Sequence, residues 1–335
     1  MGFEKIARRE FVRNIAVSGT ALGLSGLPLF TSAKSKAEDL KVGIVGLSVH
    51  SAAFSKILND KNRGSDLDGC RITALYHPPG NPDVDFSPEQ LRTFEKDVVS
   101  MGVKMVDTMD QLIDMVDVVM IETNDGRPHL QESLPAFKAG KPVFIDKPVG
   151  ANLKEVIEIY EQAEKYNVPV FSSSALRYID GLKKVNLEAV HSAHTYSPAS
   201  LEKSHTDLFW YGIHGVELLF SVMGPGCREV MQVHHSPAED LVIGFWNDGR
   251  QGVFRGIREG KRDFGGTVFQ QDEIFTLGGF SGYRPLVVKI VEFFLTKKPP
   301  VPTEETIEIY SFMEAAQKSK EKGGKRIKIE HSVTT

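Results

Sequence analysis

Between residues 40 and 171 the chain keeps returning to one local pattern, a short apolar run followed by a stretch with helical spacing. The runs are Leu40–Val45, Cys70–Tyr76, Lys104–Val106, Val118–Ile121, Pro142–Asp146 and Val168–Phe171; the helical stretches are Ala52–Leu58, Met109–Met115, His129–Ala139 and Leu153–Tyr166. Near-continuous apolar runs suit strands buried on both faces, as in a parallel sheet covered by helices. Helices of this length between them give right-handed crossovers and a doubly wound parallel sheet. Such a sheet binds its ligand in the crevice at the carboxyl ends of the strands. The residues closing each run therefore weigh most.

The first run closes in Gly46-Leu47-Ser48-Val49-His50-Ser51. Strand, tight turn, helix is the order a dinucleotide fingerprint requires, because the N–H groups at a helix start receive the pyrophosphate. Serines stand at 48 and 51 where glycines are expected. Ser48 brings a small side chain into the phosphate approach, and its hydroxyl is a donor to a phosphate oxygen. A plain strand-to-helix turn explains the same letters. The second run ends in Tyr76-His77-Pro78-Pro79-Gly80 in place of the acidic residue that holds adenosine ribose hydroxyls. NAD and NADP are not distinguished.

Thr123-Asn124 with His129, then Ala139-Gly140-Lys141-Pro142-Val143-Phe144-Ile145-Asp146-Lys147-Pro148, resembles the Gfo/Idh/MocA family, named for glucose-fructose oxidoreductase and inositol dehydrogenase. Its Glu-Lys-Pro signature is written Asp-Lys-Pro here. The likeness continues through Ser172–Tyr178 to the closing region and covers 40–330. It implies an α/β protein with an N-terminal Rossmann domain, a doubly wound parallel sheet over 38–175, and a C-terminal α/β domain over 176–335. The second domain would carry a large open, mostly antiparallel sheet, one face of which often builds a dimer or tetramer. Alternating residues at Asp240–Trp246 and Gly252–Gly256 around Asn247-Asp248-Gly249 read as a hairpin in that half. Helices follow at Pro285–Leu295 and Thr303–Lys320.

Turn and resemblance together give Gly46, Ser48, Val49, His50, His77, Thr123, Asn124, His129, Asp146 and Lys147 as cofactor contacts, with capping or packing an equal explanation of His129. The resemblance implies Lys147 as ligand of the substrate hydroxyl, where a flexible ammonium stabilises negative charge developing on oxygen. It implies His214, within Phe209–Leu219, as the catalytic histidine, an imidazole able to accept a hydroxyl proton, with Glu217 at i+3 placed to orient it. The family's Asp four residues earlier is Trp210 here, and Asp207, His205 or Tyr211 are the available substitutes. Arg177 and Tyr178 are expected at the domain junction as sugar or carboxylate ligands, with a structural salt bridge an equal reading. Trp210 and Tyr211 read as ring-stacking or core residues. His191 and His194 have loose metal-like spacing without a carboxylate partner, His234 and His235 are neighbours pointing apart on a strand, and no catalytic metal is expected.

Residues 1–37 carry six basic and two acidic residues, leaving 34 basic against 42 acidic residues in 38–335. That balance lacks the positive field of a general nucleic-acid binder. Two cysteines, Cys70 and Cys227, are too few for a disulfide framework and by default are buried thiols. Ala7-Arg8-Arg9-Glu10-Phe11-Val12-Arg13 precedes the uncharged Ile15–Phe30 and a small-residue stretch, the three parts of a removable export signal. Sixteen residues span roughly 24 Å as a helix, short of a roughly 30 Å bilayer core, so stable membrane insertion is not expected. The paired arginines resemble the twin-arginine signal, which exports folded proteins and implies a periplasmic destination. Outside the cytoplasm no supply of free NAD is at hand, so a retained cofactor must be recycled. The expectation is an exported NAD- or NADP-dependent oxidoreductase for a small sugar or polyol-like substrate, acting as a homodimer or homotetramer. An NAD-dependent glycoside hydrolase of the same family, or a non-catalytic binding protein on the same scaffold, are the alternatives.

Overall fold

The computed structural model of the chain describes residues 38–329, so the expected export signal over 1–37 lies outside it. The first half alternates β1 Leu40–Val45, α1 Val49–Leu58, β2 Cys70–Tyr76, α2 Pro88–Ser100, β3 Lys104–Val106, α3 Met109–Met115, β4 Val118–Ile121, α4 His129–Lys138, β5 Val143–Ile145, α5 Leu153–Lys165 and β6 Val170–Phe171. The strands form one parallel sheet in the order β3-β2-β1-β4-β5-β6. Both faces of its central strands are buried, as the apolar runs require: every residue of β4 is inaccessible. Helix α2 is an element the apolar periodicity misses, because Val98 is its one buried residue. Its signature is a capping box instead, Ser87 against Gln90 with Pro88 at the start.

The second half contains β7 Val190–Pro198, α6 Asp207–Trp210, α7 Ile213–Met223, β8 Cys227–His235, β9 Glu239–Trp246, β10 Gln251–Ile257, β11 Gly265–Gln270, β12 Ile274–Thr276, α8 Arg284–Thr296, α9 Thr303–Glu321 and β13 Ile327–Lys328. Its seven-stranded sheet runs β12-β11-β7-β10-β9-β8-β13, antiparallel except for β7 beside β10. The β9–β10 hairpin turns at Asn247-Asp248-Gly249, with Gly249 at φ +89°. Helices α7 and α9 cover one face of this sheet: a Cβ on Gly252 would strike Leu219, and one on Gly244 would strike Phe312.

The two sheets fall on either side of 175/176, but the packing crosses that line. From α8, Leu286, Val287, Ile290, Phe293 and Phe294 join the core of the first sheet with Val42, Phe54 and Phe171. The Phe171 and Phe293 rings lie 5.6 Å apart. On α9, the buried Tyr310 hydroxyl accepts a 2.8 Å bond from the Val149 N–H, immediately past the Asp-Lys-Pro step. Cys70 in β2 and Cys227 in β8 are separate buried free thiols, each pushed up to about 12 by burial.

Candidate active site

Gly46 ends β1 at φ +97°, and a Cβ there would lie 2.5 Å from the Thr123 backbone nitrogen, so the turn closes directly onto the end of β4. Ser48 then caps α1. Its Oγ accepts the N–H groups of His50 (3.2 Å) and Ser51 (3.1 Å), while Ser51 Oγ accepts the Ser48 N–H at 2.8 Å. This reciprocal box occupies three N–H groups that a glycine-rich turn leaves to a pyrophosphate. The Leu47 N–H is taken as well, by His77 Nδ1 at 3.2 Å. Left without a partner among the described residues, at the positive end of the helix, are the Val49 N–H and the Ser48 hydroxyl proton. Both residues line a cavity of about 490 Å³ at the carboxyl ends of the strands. The turn therefore fits a dinucleotide phosphate, with fewer donors than a glycine fingerprint supplies.

Lys147 reaches the same cavity from the end of β5, where its peptide to Pro148 is cis. Its Nζ makes no hydrogen bond or ion pair with a described residue and lies 5.5 Å from the centre of the Tyr211 ring. Burial pushes this ammonium below the usual lysine range, against the opposing pull of Asp146 and Glu122. His214 enters from the first turn of α7, held through Nδ1 by Ser174 Oγ at 2.8 Å. Burial, then the neighbouring charges of Lys147 and His50, depress it well below 6.5, so it is neutral at physiological pH. One ring nitrogen is anchored and the other is left for a substrate. Trp210, Tyr211, Phe264, Phe280 and Tyr283 line the same cavity, with Tyr211 5.0 Å and Phe264 5.9 Å from the His214 ring.

The β2–α2 loop forms a further wall. Asn81 bonds Asp125 at 2.5 Å, Arg127 grips Asp83 at 2.7 and 3.0 Å, and the Asn124 side chain donates to the Val84 carbonyl at 3.0 Å. Since β2 and β4 flank β1, these bonds carry the loop past the carboxyl end of β1, and its Phe86 joins the cavity lining.

Of the residues expected in the site, Ser48, Val49, His50, Asn124, Asp146, Lys147, Trp210, Tyr211 and His214 line this cavity. Gly46 and Thr123 shape the turn beneath it, and His77 braces that turn from the side. His129 is fully buried, with Nδ1 3.2 Å from the Val149 carbonyl and Nε2 2.9 Å from that of Thr123, so it is a structural residue. Arg177 is a buried salt-bridge residue rather than a substrate ligand, because Glu217 (3.0 Å) and Glu305 already occupy its guanidinium. Tyr178 belongs with it, in a separate surface hollow beside Arg284. Glu217 consequently does not orient His214; Ser174 does. Burial raises Glu217 to about 7 against the pull of Arg177. Among the substitutes for the family's aspartate, Asp207 is paired with Lys320 and His205 lies 3.4 Å from Asp125. Only Tyr211 faces the cavity.

Besides the aromatic lining residues Phe86, Phe264, Phe280 and Tyr283, two polar contributors were not singled out from sequence. Ser174 stands in a run of three serines, where nothing marks one from the next. Glu122 closes a wholly apolar strand with an acid, a legible anomaly, and is 0% exposed with neither carboxyl oxygen partnered among the described residues.

Residues 40–174 match the GFO_IDH_MocA family model, described as an oxidoreductase family with an NAD-binding Rossmann fold. An uncharacterized oxidoreductase of Streptococcus pneumoniae is 26% identical over 145 residues, 43% of this chain and 34% of that relative's length. The match thus spans about a third of the curated relative. Among solved structures, GenD2 from gentamicin A biosynthesis in complex with NAD superposes with a TM-score of 0.70 at 16% identity, over 93% of this chain and all of that one. Scyllo-inositol dehydrogenase from Lactobacillus casei with bound NAD(H) and scyllo-inositol gives 0.67 at 14% identity, over 87% and 99%. At these identities the structural likeness speaks for the fold.

Proposed function

We propose that this chain, whose residues 40–174 match the model of the Gfo/Idh/MocA oxidoreductase family, is an exported oxidoreductase of that kind. It would oxidise or reduce a hydroxyl carbon of a neutral sugar or polyol-like molecule with a retained nicotinamide dinucleotide. The observation that carries the reading is the pairing, in one cavity, of an unpartnered Lys147 ammonium with a neutral, Ser174-anchored His214. A nicotinamide dinucleotide would supply the hydride acceptor, and the Val49 N–H and the Ser48 hydroxyl would hold one of its phosphate oxygens. Lys147 binds the substrate oxygen and stabilises charge on it, while the second ring nitrogen of His214 accepts the hydroxyl proton. The aromatic wall suits the apolar face of a sugar ring, and among the described residues no second unpaired Lys or Arg lines the cavity to demand an anionic substrate. The loop tied across the end of β1 supports retention of the cofactor.

The paired arginines of the N-terminal segment support export by the twin-arginine route, and retention then calls for a redox-neutral cycle. Association into a dimer or tetramer is part of the same proposal. The face of the second sheet opposite α7 and α9 presents Leu241, Ile243, Phe245, Val253 and Ile257, half-buried, where no described helix covers it. No described helix is long and apolar enough to cross a membrane.

The test is to express the full chain with its export route intact, purify it, denature it and identify dinucleotides in the supernatant by mass spectrometry. Near-stoichiometric NAD(H) or NADP(H) is expected. A protein that is empty and binds no added dinucleotide overturns the reading in favour of a binding protein.

A further inference from the structure

Behind Lys147 lies a group of ionisable side chains that the proposed chemistry does not use. His50 Nδ1 and Asp146 Oδ2 are 2.5 Å apart, and the nearest carboxyl oxygen of Glu122 completes a set of three polar atoms all within 4.8 Å of one another. The three come from α1, the end of β5 and the end of β4, strands that are neighbours in the sheet. Glu122 is sealed from solvent, Asp146 nearly so, and the His50 side chain retains 16% exposure at the cavity edge. His50 is held flat against Phe54 at 5.4 Å and edge-on to Tyr283 at 4.7 Å. The ionisable groups facing this cluster from the surrounding elements, among the described residues, are Lys147, His214, Tyr283 and Tyr310.

A divalent ion and a shared proton are the two ways to account for such a trio, and geometry separates them. Two donor atoms on one small ion stand roughly 3 Å apart, since each is about 2 Å from the metal. At 2.5 Å, His50 and Asp146 are spaced for a proton between them. The charges agree. Two carboxylates this close in a dry site do not both ionise: burial and the charge of Asp146 push Glu122 well above the carboxylate range. Burial pushes Asp146 up too, but His50 and Lys147 outweigh it and hold it ionised. One negative charge then remains to support one positive charge, with two seats for it, His50 and Lys147.

We propose that His50, Asp146 and Glu122 are a proton-sharing cluster that sets the charge on Lys147, with His50 a positioning residue and the member through which protons exchange with solvent. The assignment rests on Lys147 as the substrate-oxygen ligand proposed above. Asp146 supports the ammonium, the protonated Glu122 adds no second negative charge, and His50 competes with Lys147 for the support of Asp146. Each alcohol oxidised releases one proton net, first taken by His214. The positive charge this creates beside the cluster is relieved when a proton leaves at the exposed edge of His50.

The test reads Lys147 directly in the full-length protein, through the pH dependence of its reaction with a small amine-acylating reagent, with Lys147→Met giving the background. In Asp146→Asn the ammonium loses its support, and Lys147 is expected to react at a pH lower by about one unit; in His50→Gln the rival seat is gone, and it is expected to react only at higher pH. Glu122→Gln mimics the protonated acid and is expected to leave the profile within about 0.3 unit. An unchanged profile in His50→Gln overturns the coupling, and a large shift in Glu122→Gln overturns Glu122 as its neutral member. Stoichiometric divalent metal in the purified protein, whose removal by chelation alone shifts the Lys147 profile, overturns the cluster as a proton site. No substrate or dinucleotide enters these measurements, so failure of the oxidoreductase reading and failure of the coupling are seen separately.

Discussion

At the scale of single residues, burial holds ionisable groups around the cavity in their neutral form. Burial keeps His214 neutral and Glu122 protonated. The second of these has a consequence for stability whose sign is fixed by linkage. In the unfolded chain Glu122 ionises above its ordinary value of 4.5, whereas in the folded chain it stays neutral well beyond that. The fold therefore loses stability as pH rises from about 4.5 toward the folded-state value, by up to about 1.4 kcal/mol per pH unit. Glu122→Gln is expected to match the wild type near pH 4 and to exceed it increasingly toward pH 8 in thermal or urea unfolding. A variant less stable at neutral pH would mean that the native carboxyl is ionised and compensated.

At the scale of elements, the start of α1 sets two tasks against each other. The Ser48/Ser51 box stabilises the helix by satisfying its own N–H groups, and in doing so withdraws them from a phosphate. Ser48→Gly is expected to cost the fold a few tenths of a kcal/mol. It would free the His50 and Ser51 N–H groups, and hydrogen bonds to a charged partner are worth roughly 1.5–3 kcal/mol each. Net of the lost hydroxyl, NAD is expected to bind about tenfold more tightly by calorimetry. Weaker binding would identify the Ser48 hydroxyl as the principal phosphate donor. The same element explains a partial legibility: the order strand, turn, helix was readable, but the letters at 48 and 51 could not say whether a serine would point at a ligand or back at its own helix.

For the molecule as a whole, two sheets share a tightly crossed packing. The open face of the second sheet alternates with its buried face, as β9 and β10 show residue by residue. Ile243→Lys places a charge on the half-buried face without touching the α7/α9 core. The wild type is expected to run as a dimer or tetramer in size-exclusion chromatography with light scattering, and the variant as a smaller species with its secondary structure intact. A wild-type monomer would remove the sheet face as an interface.

The strand–helix alternation and its parallel sheet followed from sequence alone, because periodicity and turn chemistry are local properties, whereas Lys147 and His214 came from a resemblance carried by short motifs, and the structure brings both to one cavity. Tertiary structure decided the rest. Arg177 is spent on Glu217 and Glu305, His129 on two backbone carbonyls, and α8 on the core of the sheet that begins the chain. Which partner a charged or polar group finds depends on residues as far as 218 positions away, and no local pattern carries that distance. Glu122 marks the same boundary. Its letter was visible at the end of a strand, but only burial made it an acid that keeps its proton.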